Sequence, residues 1–232
     1  MPRLLTERDD CTDDLIDAIR SFQQGIPGVE ADGRLMPQDH ALGRLCDALP
    51  SDLTADKLCV LMPRGRRDSI NRYLGYLKEK MPQAGLLTPL RVAHFLAQVA
   101  HECVDLTQME EGSSGLAYEG SRSLGNTQRG DGPRFKGRGL LQLTGRWNYW
   151  AYGRSRLPRI DLTASGNERL VATNPEMAVD AACWYWNTLR KANSAADADD
   201  ITRVTQLVNG GTNGLEDRRT QLARVKFVMR LT

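Results

Sequence analysis

Glu102 closes the helix-like run Leu90-Arg-Val-Ala-His-Phe-Leu-Ala-Gln-Val-Ala-His-Glu102, and a second carboxylate, Glu111, follows nine residues later. Two carboxyl groups in different surroundings are what hydrolysis of a glycosidic bond needs. One is protonated to donate to the leaving oxygen, and the other is ionised to activate water or to stabilise developing positive charge. At 100° per residue, Val92, Phe95, Leu96 and Val99 share one apolar arc, while His94, Gln98 and His101 lie on the opposite, polar side. Glu102 falls at the edge of the apolar arc. A carboxyl at such a seam is partly desolvated, which is expected to raise its pKa and suit it to an acid's role. An ordinary helix-end glutamate bordering the core has the same pattern. Glu111 opens a glycine-rich loop where donors and solvent would keep it charged, and Glu110 and Glu119 compete with it on the same grounds.

The second group of candidates lies in Gly130-Asp-Gly-Pro-Arg-Phe-Lys-Gly-Arg-Gly-Leu-Leu-Gln-Leu-Thr-Gly-Arg-Trp-Asn-Tyr149. Gly137 and Gly139 permit close backbone approach. Gln142 and Thr144 alternate with Leu141 and Leu143, so a short strand over Gly139–Thr144 would put the amide and the hydroxyl on one face. Trp147, Asn148 and Tyr149 add flat apolar surface and hydrogen-bonding groups, the mixture a sugar-binding cleft uses. A polar strand edge with an aromatic core cluster reads the same way. Asn209-Gly-Gly-Thr-Asn-Gly214 fits either a cleft wall or a helix cap and turn. The stretch Arg129–Arg146 carries five basic residues against one aspartate, which suits an anionic polymer or a solvated loop equally.

The elements that must position these groups are helices. Leu15, Ile16, Ile19 and Phe22 recur at helical spacing until Gly25, Pro27 and Gly28, and a short helix through Leu42 and Leu45 is expected next. Thr54 caps a helix through Leu58 and Leu61 that stops near Pro63. Ile70, Tyr73, Leu74, Leu77 and Met81 mark another, ended by Pro82 and Gly85. Thr88-Pro89 supplies an N-cap and a first-turn proline for the helix bearing Glu102. Residues 112–139 read as a long loop, a feature that in compact domains is usually functional or disordered. Further helices are expected from Pro175 to Lys191, from Asp200 to Val208 and from Leu215 onward. The fold class is mainly α.

The 232 residues hold one large domain or a domain with a small appendage, and they can bury a core without disulfide support. The net charge of +2 gives no support to general nucleic-acid binding. Cys11, Cys46, Cys59, Cys103 and Cys183 are scattered with no metal-ligand spacing, so free thiols and no metal or cofactor are expected. No apolar run has the length of a membrane span. Residues 1–10 lack a signal-peptide core, so the chain is expected to encode no standard export route of its own.

From about Leu53 to Lys226 the chain resembles glycoside hydrolase family 19, the family of chitinases and phage endolysins with a lysozyme-like, two-lobed helical domain and a central cleft. The matching strings are Ala97-Gln-Val-Ala-His-Glu102, Gly130-Asp-Gly132, Phe135 to Arg146, Asn148-Tyr149, Val208 to Leu215 and Asp217-Arg218. The resemblance implies Glu102 as general acid and Glu111 as base, with Gln142, Thr144, Trp147, Asn148, Asn209 and Arg218 around the substrate. The nine-residue interval resembles the bacterial and endolysin branch. Thr144 replaces the serine of plant members, and Cys103-Val-Asp105 stands where many members have Ser-Gly-Gly. Ala18-Ile-Arg-Ser-Phe-Gln23 with Asp32-Gly-Arg-Leu35 resembles the later half of a peptidoglycan-binding module.

These readings divide the chain into a small helical lead-in, 1–50, and a hydrolase domain, 51–232. The expected activity is an inverting muramidase cleaving the β-1,4 bond between N-acetylmuramic acid and N-acetylglucosamine. The alternatives are a chitinase and an inactive glycan-binding module. The expected partner is a peptidoglycan strand, met in the bacterial periplasm or cell wall after delivery by a holin or a dedicated secretion system. An effector domain would add an immunity protein or a secretion component as partner.

Overall fold

The structure is a computed structural model. It describes residues 13–35, 40, 41, 44 and 52–231. The helix expected through Leu42 and Leu45, and the thiols Cys11 and Cys46, lie outside the described residues.

The longer helices are α1 (Asp13–Gln24), α2 (Ala55–Leu61), α3 (Arg67–Gln83) and α4 (Pro89–Glu102). After the loop come short α5 (Asp131–Arg134), α6 (Arg146–Ser155) and short α7 (Leu170–Thr173). The chain then forms α8 (Pro175–Trp184), α9 (Asn193–Asp197), α10 (Ile201–Asn209) and α11 (Leu215–Met229). The fold is mainly α and lysozyme-like. Among the described residues the pairings of β type are isolated bridges, Glu110 with Arg138 and Arg138 with Leu143.

Helix starts follow the local chemistry. Thr54, Thr88, Asn174 and Asp200 each accept a first-turn backbone N–H on the side chain, satisfying a donor the helix cannot. Pro82 is accommodated inside the last turn of α3. Below Trp184 the α-helix widens into a π-helical turn, Tyr185–Leu189, so the expected helix to Lys191 is regular only over its first part.

From Ala93 to Ala100 α4 is buried on all sides, and α11 is its most extensive neighbour. Ala93, Phe95, Leu96, Ala97, Val99 and Ala100 join the main apolar core, with Phe95 edge-on to Trp186. The supposed polar face is buried as well: His94 and Gln98 are fully covered. His94 Nε2 lies 2.8 Å from Asp199 Oδ1, and Gln98 Nε2 donates to Thr205 Oγ1 at 3.4 Å. Polar residues opposite an apolar arc here meet α10 and the turn before it rather than water.

In the lead-in, buried Gln23 ties the segment together. Its amide donates to Arg34 O at 2.8 Å and Asp32 Oδ1 at 3.0 Å, and its carbonyl accepts from Gly33 N at 2.8 Å.

Candidate active site

Glu102 is placed by the end of α4, with its side chain 16% exposed. Its Oε1 accepts from Arg218 Nη2 at 2.6 Å, and the other arm of the same guanidinium donates to Gln98 Oε1. Arg218 stands in the first turn of α11 and is 1% exposed. Its planar fork spans two residues one turn apart on α4, a geometry that a lysine ammonium lacks. Beside this pair, His101 Nδ1 lies 2.6 Å from Asp217 Oδ2. Burial pushes the Asp217 carboxyl up, but the hydrogen bond and charge of His101 outweigh it and hold it below the usual range.

After Glu102 the chain makes a left-handed turn, with φ of 48°, 57° and 66° at Val104, Asp105 and Leu106. Non-glycine residues rarely adopt this conformation. Here buried Asp105 pins it by accepting from Arg64 N and Nε, both at 3.1 Å. Cys103-Val-Asp105 thus makes, by side-chain anchoring, a turn at the place where many family members have glycines.

Glu111 is held by the loop. Its Oε1 accepts from Ser113 Oγ and from Tyr118 OH at 3.1 Å, and its Oε2 accepts from Gly137 N at 3.1 Å. A Cβ on Gly137 would sit 2.7 Å from Gln142 Oε1 and 3.3 Å from Glu111 Oε2. A side chain at this position would force the Gln142 amide to move. Burial and the Glu111 charge both raise the pKa of Tyr118, so its hydroxyl remains a donor.

The competing glutamates are occupied elsewhere. Burial pushes Glu110 up, but Arg138 at 3.2 Å and Lys136 at 3.1 Å outweigh it and hold its carboxyl below the usual range. Glu119 accepts from Gly130 N at 2.6 Å and Gly132 N at 2.8 Å, closing the loop on itself. The basic stretch is equally engaged: Arg146 pairs with Asp131 at 2.5 Å and Arg134 with Glu168 at 3.4 Å. With Lys136 and Arg138 on Glu110, these pairs engage the stretch from Arg134 to Arg146 in holding the loop, and Arg129 stands exposed at its start.

The expected strand over Gly139–Thr144 is a tight turn. Arg138 and Leu143 exchange backbone hydrogen bonds at 3.2 and 2.8 Å, with Gln142 at φ 48°. Leu140, Leu141 and Leu143 are all buried, which a two-residue alternation cannot produce. The turn nonetheless directs Gln142 and Thr144 to one place. Thr144 Oγ1 donates to Gln142 O at 2.8 Å, and Asn148 Nδ2 donates to Thr144 O at 2.6 Å from α6.

Glu102, Glu111, Gln142, Thr144, Asn148 and Asn209 line one cleft of about 390 Å3. Arg218 stands behind Glu102. Trp147 is not among the lining residues; it stands 49% exposed on α6. The sequence reading missed Tyr118, Tyr185 and Arg190 in the lining. Arg190 Nη2 donates to Tyr185 OH at 2.6 Å, which donates to Val208 O at 2.9 Å. Both follow from the π-helical turn, which has no sequence motif; Tyr118 is the one aromatic residue between Glu111 and Phe135, a signal that was available. Among the described residues no cluster of His, Cys, Asp and Glu could hold a metal ion.

Residues 89–214 match the family model described as chitinase class I, glycosyl hydrolase 19. A glycosyl hydrolase family 19 domain-containing protein of Haemophilus influenzae is 30% identical over 173 residues, covering 61% of this chain and 82% of that protein. The acidic endochitinase SP2 of Beta vulgaris is 33% identical over 99 residues, covering 42% of this chain; the chain spans only 33% of that enzyme's length. Among solved structures, chitinase C of Streptomyces griseus superposes with a TM-score of 0.57 at 21% identity, over 77% of this chain and 93% of that one. A class IV enzyme from Zea mays gives 0.51 at 19% identity, over 84% and 93%. At these identities the structures speak for the fold.

Proposed function

The chain belongs to glycoside hydrolase family 19, and from that premise we propose that it hydrolyses the β-1,4 bond between N-acetylmuramic acid and N-acetylglucosamine in peptidoglycan, with inversion. The observation that carries this reading is the meeting of Glu102 and Glu111 in one cleft with Gln142, Thr144, Asn148 and Asn209. A polymer strand lies along this cleft with its amide and hydroxyl groups against those side chains. Glu102 donates a proton to the leaving oxygen. Arg218 engages Oε1, so Oε2 is the oxygen turned to substrate. Glu111 takes a proton from water as it attacks the anomeric carbon from the opposite face. Tyr118, Ser113 and Gly137 N–H fix that carboxylate by donating to it.

Peptidoglycan is favoured over other N-acetylglucosamine polymers by the lead-in. The two strings that resemble a wall-binding module are joined through Gln23, and we assign residues 1–50 to wall engagement. Chitin is the second reading, supported by the endochitinases among the relatives. No helix among the described residues is long and apolar enough to cross a membrane.

Digesting purified sacculi and, separately, chitin oligomers tests the assignment. Fragments from sacculi ending in reducing N-acetylmuramic acid are expected, and Glu102→Gln should lower their release by ~10²–10⁴. Chitin products alone would transfer the chain to the second reading, and no product from either polymer would leave a binding module.

A further inference from the structure

α6 shows two half-exposed tryptophans, and only Trp147 lies near the cleft, its Cβ packed beside Gly125 next to the cleft residue Leu124. Trp150 is 47% exposed and two residues beyond Asn148, a rotation of about 200°. It therefore faces away from the catalytic groups. A separate groove of about 310 Å3 opens there, lined by Trp150, Arg154, Arg159, Ile160, Asp161 and Thr163.

The chemistry of this groove is specific. Arg154 lies over the Trp150 ring, its guanidinium 5.3 Å from the centroid. Neither Arg154 nor Arg159 has a carboxylate within ion-pair distance among the described residues, whereas Arg156, between them in sequence, pairs with Asp180 at 2.6 Å. Asp161 does not neutralise them by direct contact. It accepts from Thr163 N at 2.9 Å and Oγ1 at 2.6 Å, within its own turn. What remains is an exposed indole face in a lining where two arginines outnumber one carboxylate, Asp161. An aromatic face with polar neighbours takes the flat C–H side of a pyranose, and arginine forks take carboxylates.

We infer that the Trp150 groove is a second docking site, for an acidic glycan strand of the polymer that the cleft cleaves. A sugar ring stacks on Trp150, and carboxylates of the strand's peptide or lactyl groups pair with Arg154 and Arg159. The identity of the strand rests on the peptidoglycan reading. The groove holds the enzyme on an insoluble network while the cleft works on a neighbouring strand, which raises local concentration without touching the chemistry.

Co-sedimentation with purified sacculi tests this, using Glu102→Gln chain so that binding is read without cleavage. Adding Trp150→Ala, or separately Arg159→Gln, should weaken the apparent Kd for sacculi by roughly five- to tenfold, the scale of one stacked or charge-assisted contact. With Glu102 intact, the same two substitutions should leave turnover of short soluble fragments within about twofold and the melting temperature unchanged. Binding of the Arg159→Gln chain to uncharged chitin beads should match its parent. Undiminished binding of both variants to sacculi would overturn the proposal. So would equal losses of Arg159→Gln on chitin and sacculi, which would show a neutral strand, or a joint fall in soluble turnover and melting temperature, which would show a structural role. If intact enzyme releases no muramic-acid ends while Trp150→Ala still loses sacculus binding, the docking site stands and the substrate assignment falls.

Discussion

Arg218 reaches Glu102 across 116 positions of sequence, its Nη2 2.6 Å from Oε1, and holds Gln98 with its other arm. The acid's orientation is thereby set by α11 as well as by its own helix. Arg218→Lys keeps the charge but cannot span both partners. Turnover should fall by roughly 10²-fold, the scale of a small misplacement at a reacting centre, with KM changing far less. Equal loss in both would show that Arg218 binds substrate directly.

Gly214 lies under the ring of His101 at φ 71°, where an added Cβ would overlap the imidazole. Gly214→Ala combines a left-handed alanine with that overlap and should cost on the order of 1–3 kcal/mol. It should also displace His101, the neighbour of Glu102, and reduce turnover. Gly211→Ala, with open space and no positive φ, should stay within about 0.5 kcal/mol. Thermal melts of the two variants compare these directly.

Burial pushes the His94 pKa below its ordinary 6.5, against the opposing pull of the Asp199 hydrogen bond. Among the described residues Nδ1 is buried without a partner, so a second ring proton would find no acceptor among them. The unfolded chain takes up that proton first as pH falls. The contribution is therefore present above about pH 6.5 and is lost as pH drops through the folded value. Melting temperature should decline from pH 7 to pH 5, and His94→Gln should flatten that slope while lowering stability at pH 7. A slope unchanged in the variant would place the titration elsewhere.

Inversion is read from the first product. Water attacking opposite the leaving group yields the α-anomer from a β-linked substrate, and inverting pairs stand about 6.5–9.5 Å apart to admit it. Proton NMR within the first turnovers should show the α-anomer ahead of mutarotation. The β-anomer first would assign Glu111 a nucleophile's or stabiliser's role.

The parts of the site that lie within one element or one string were legible in the sequence. Thr88-Pro89 marks the start of α4, Glu102 its end, and Gly137 the close approach. What was not legible depends on distant partners. Helical periodicity put His94 and Gln98 on a polar face, but it carries no information on whether water or Thr205 and Arg218 lie opposite. Leu140 to Leu143 fit a strand alternation until the ladder between Arg138 and Leu143 closes a turn. α6 escaped notice because aromatic and polar residues run through it without an apolar stripe, so its tryptophans could not be sorted into Trp147 beside the cleft and Trp150 outside it.

The lead-in provides the last test. Gln23 satisfies its amide and carbonyl within residues 23–34, while among the described residues the apolar cluster of the hydrolase domain draws on those from Leu53 onward. A segment that closes its own polar network can serve as a separate wall-binding unit. Deleting residues 1–50 should then leave cleavage of short soluble fragments nearly intact and weaken activity on insoluble sacculi, because tethering acts only where the substrate is a surface. If Leu15, Ile19 and Phe22 instead complete the hydrolase core, truncation would expose apolar surface, lower the melting temperature and reduce both activities together. Gln23→Ala probes the same point without deletion. Losing a buried amide that serves three partners should open the Asp32-Gly33-Arg34 turn at a cost of about 1–3 kcal/mol to the segment, reducing sacculus binding while soluble turnover holds.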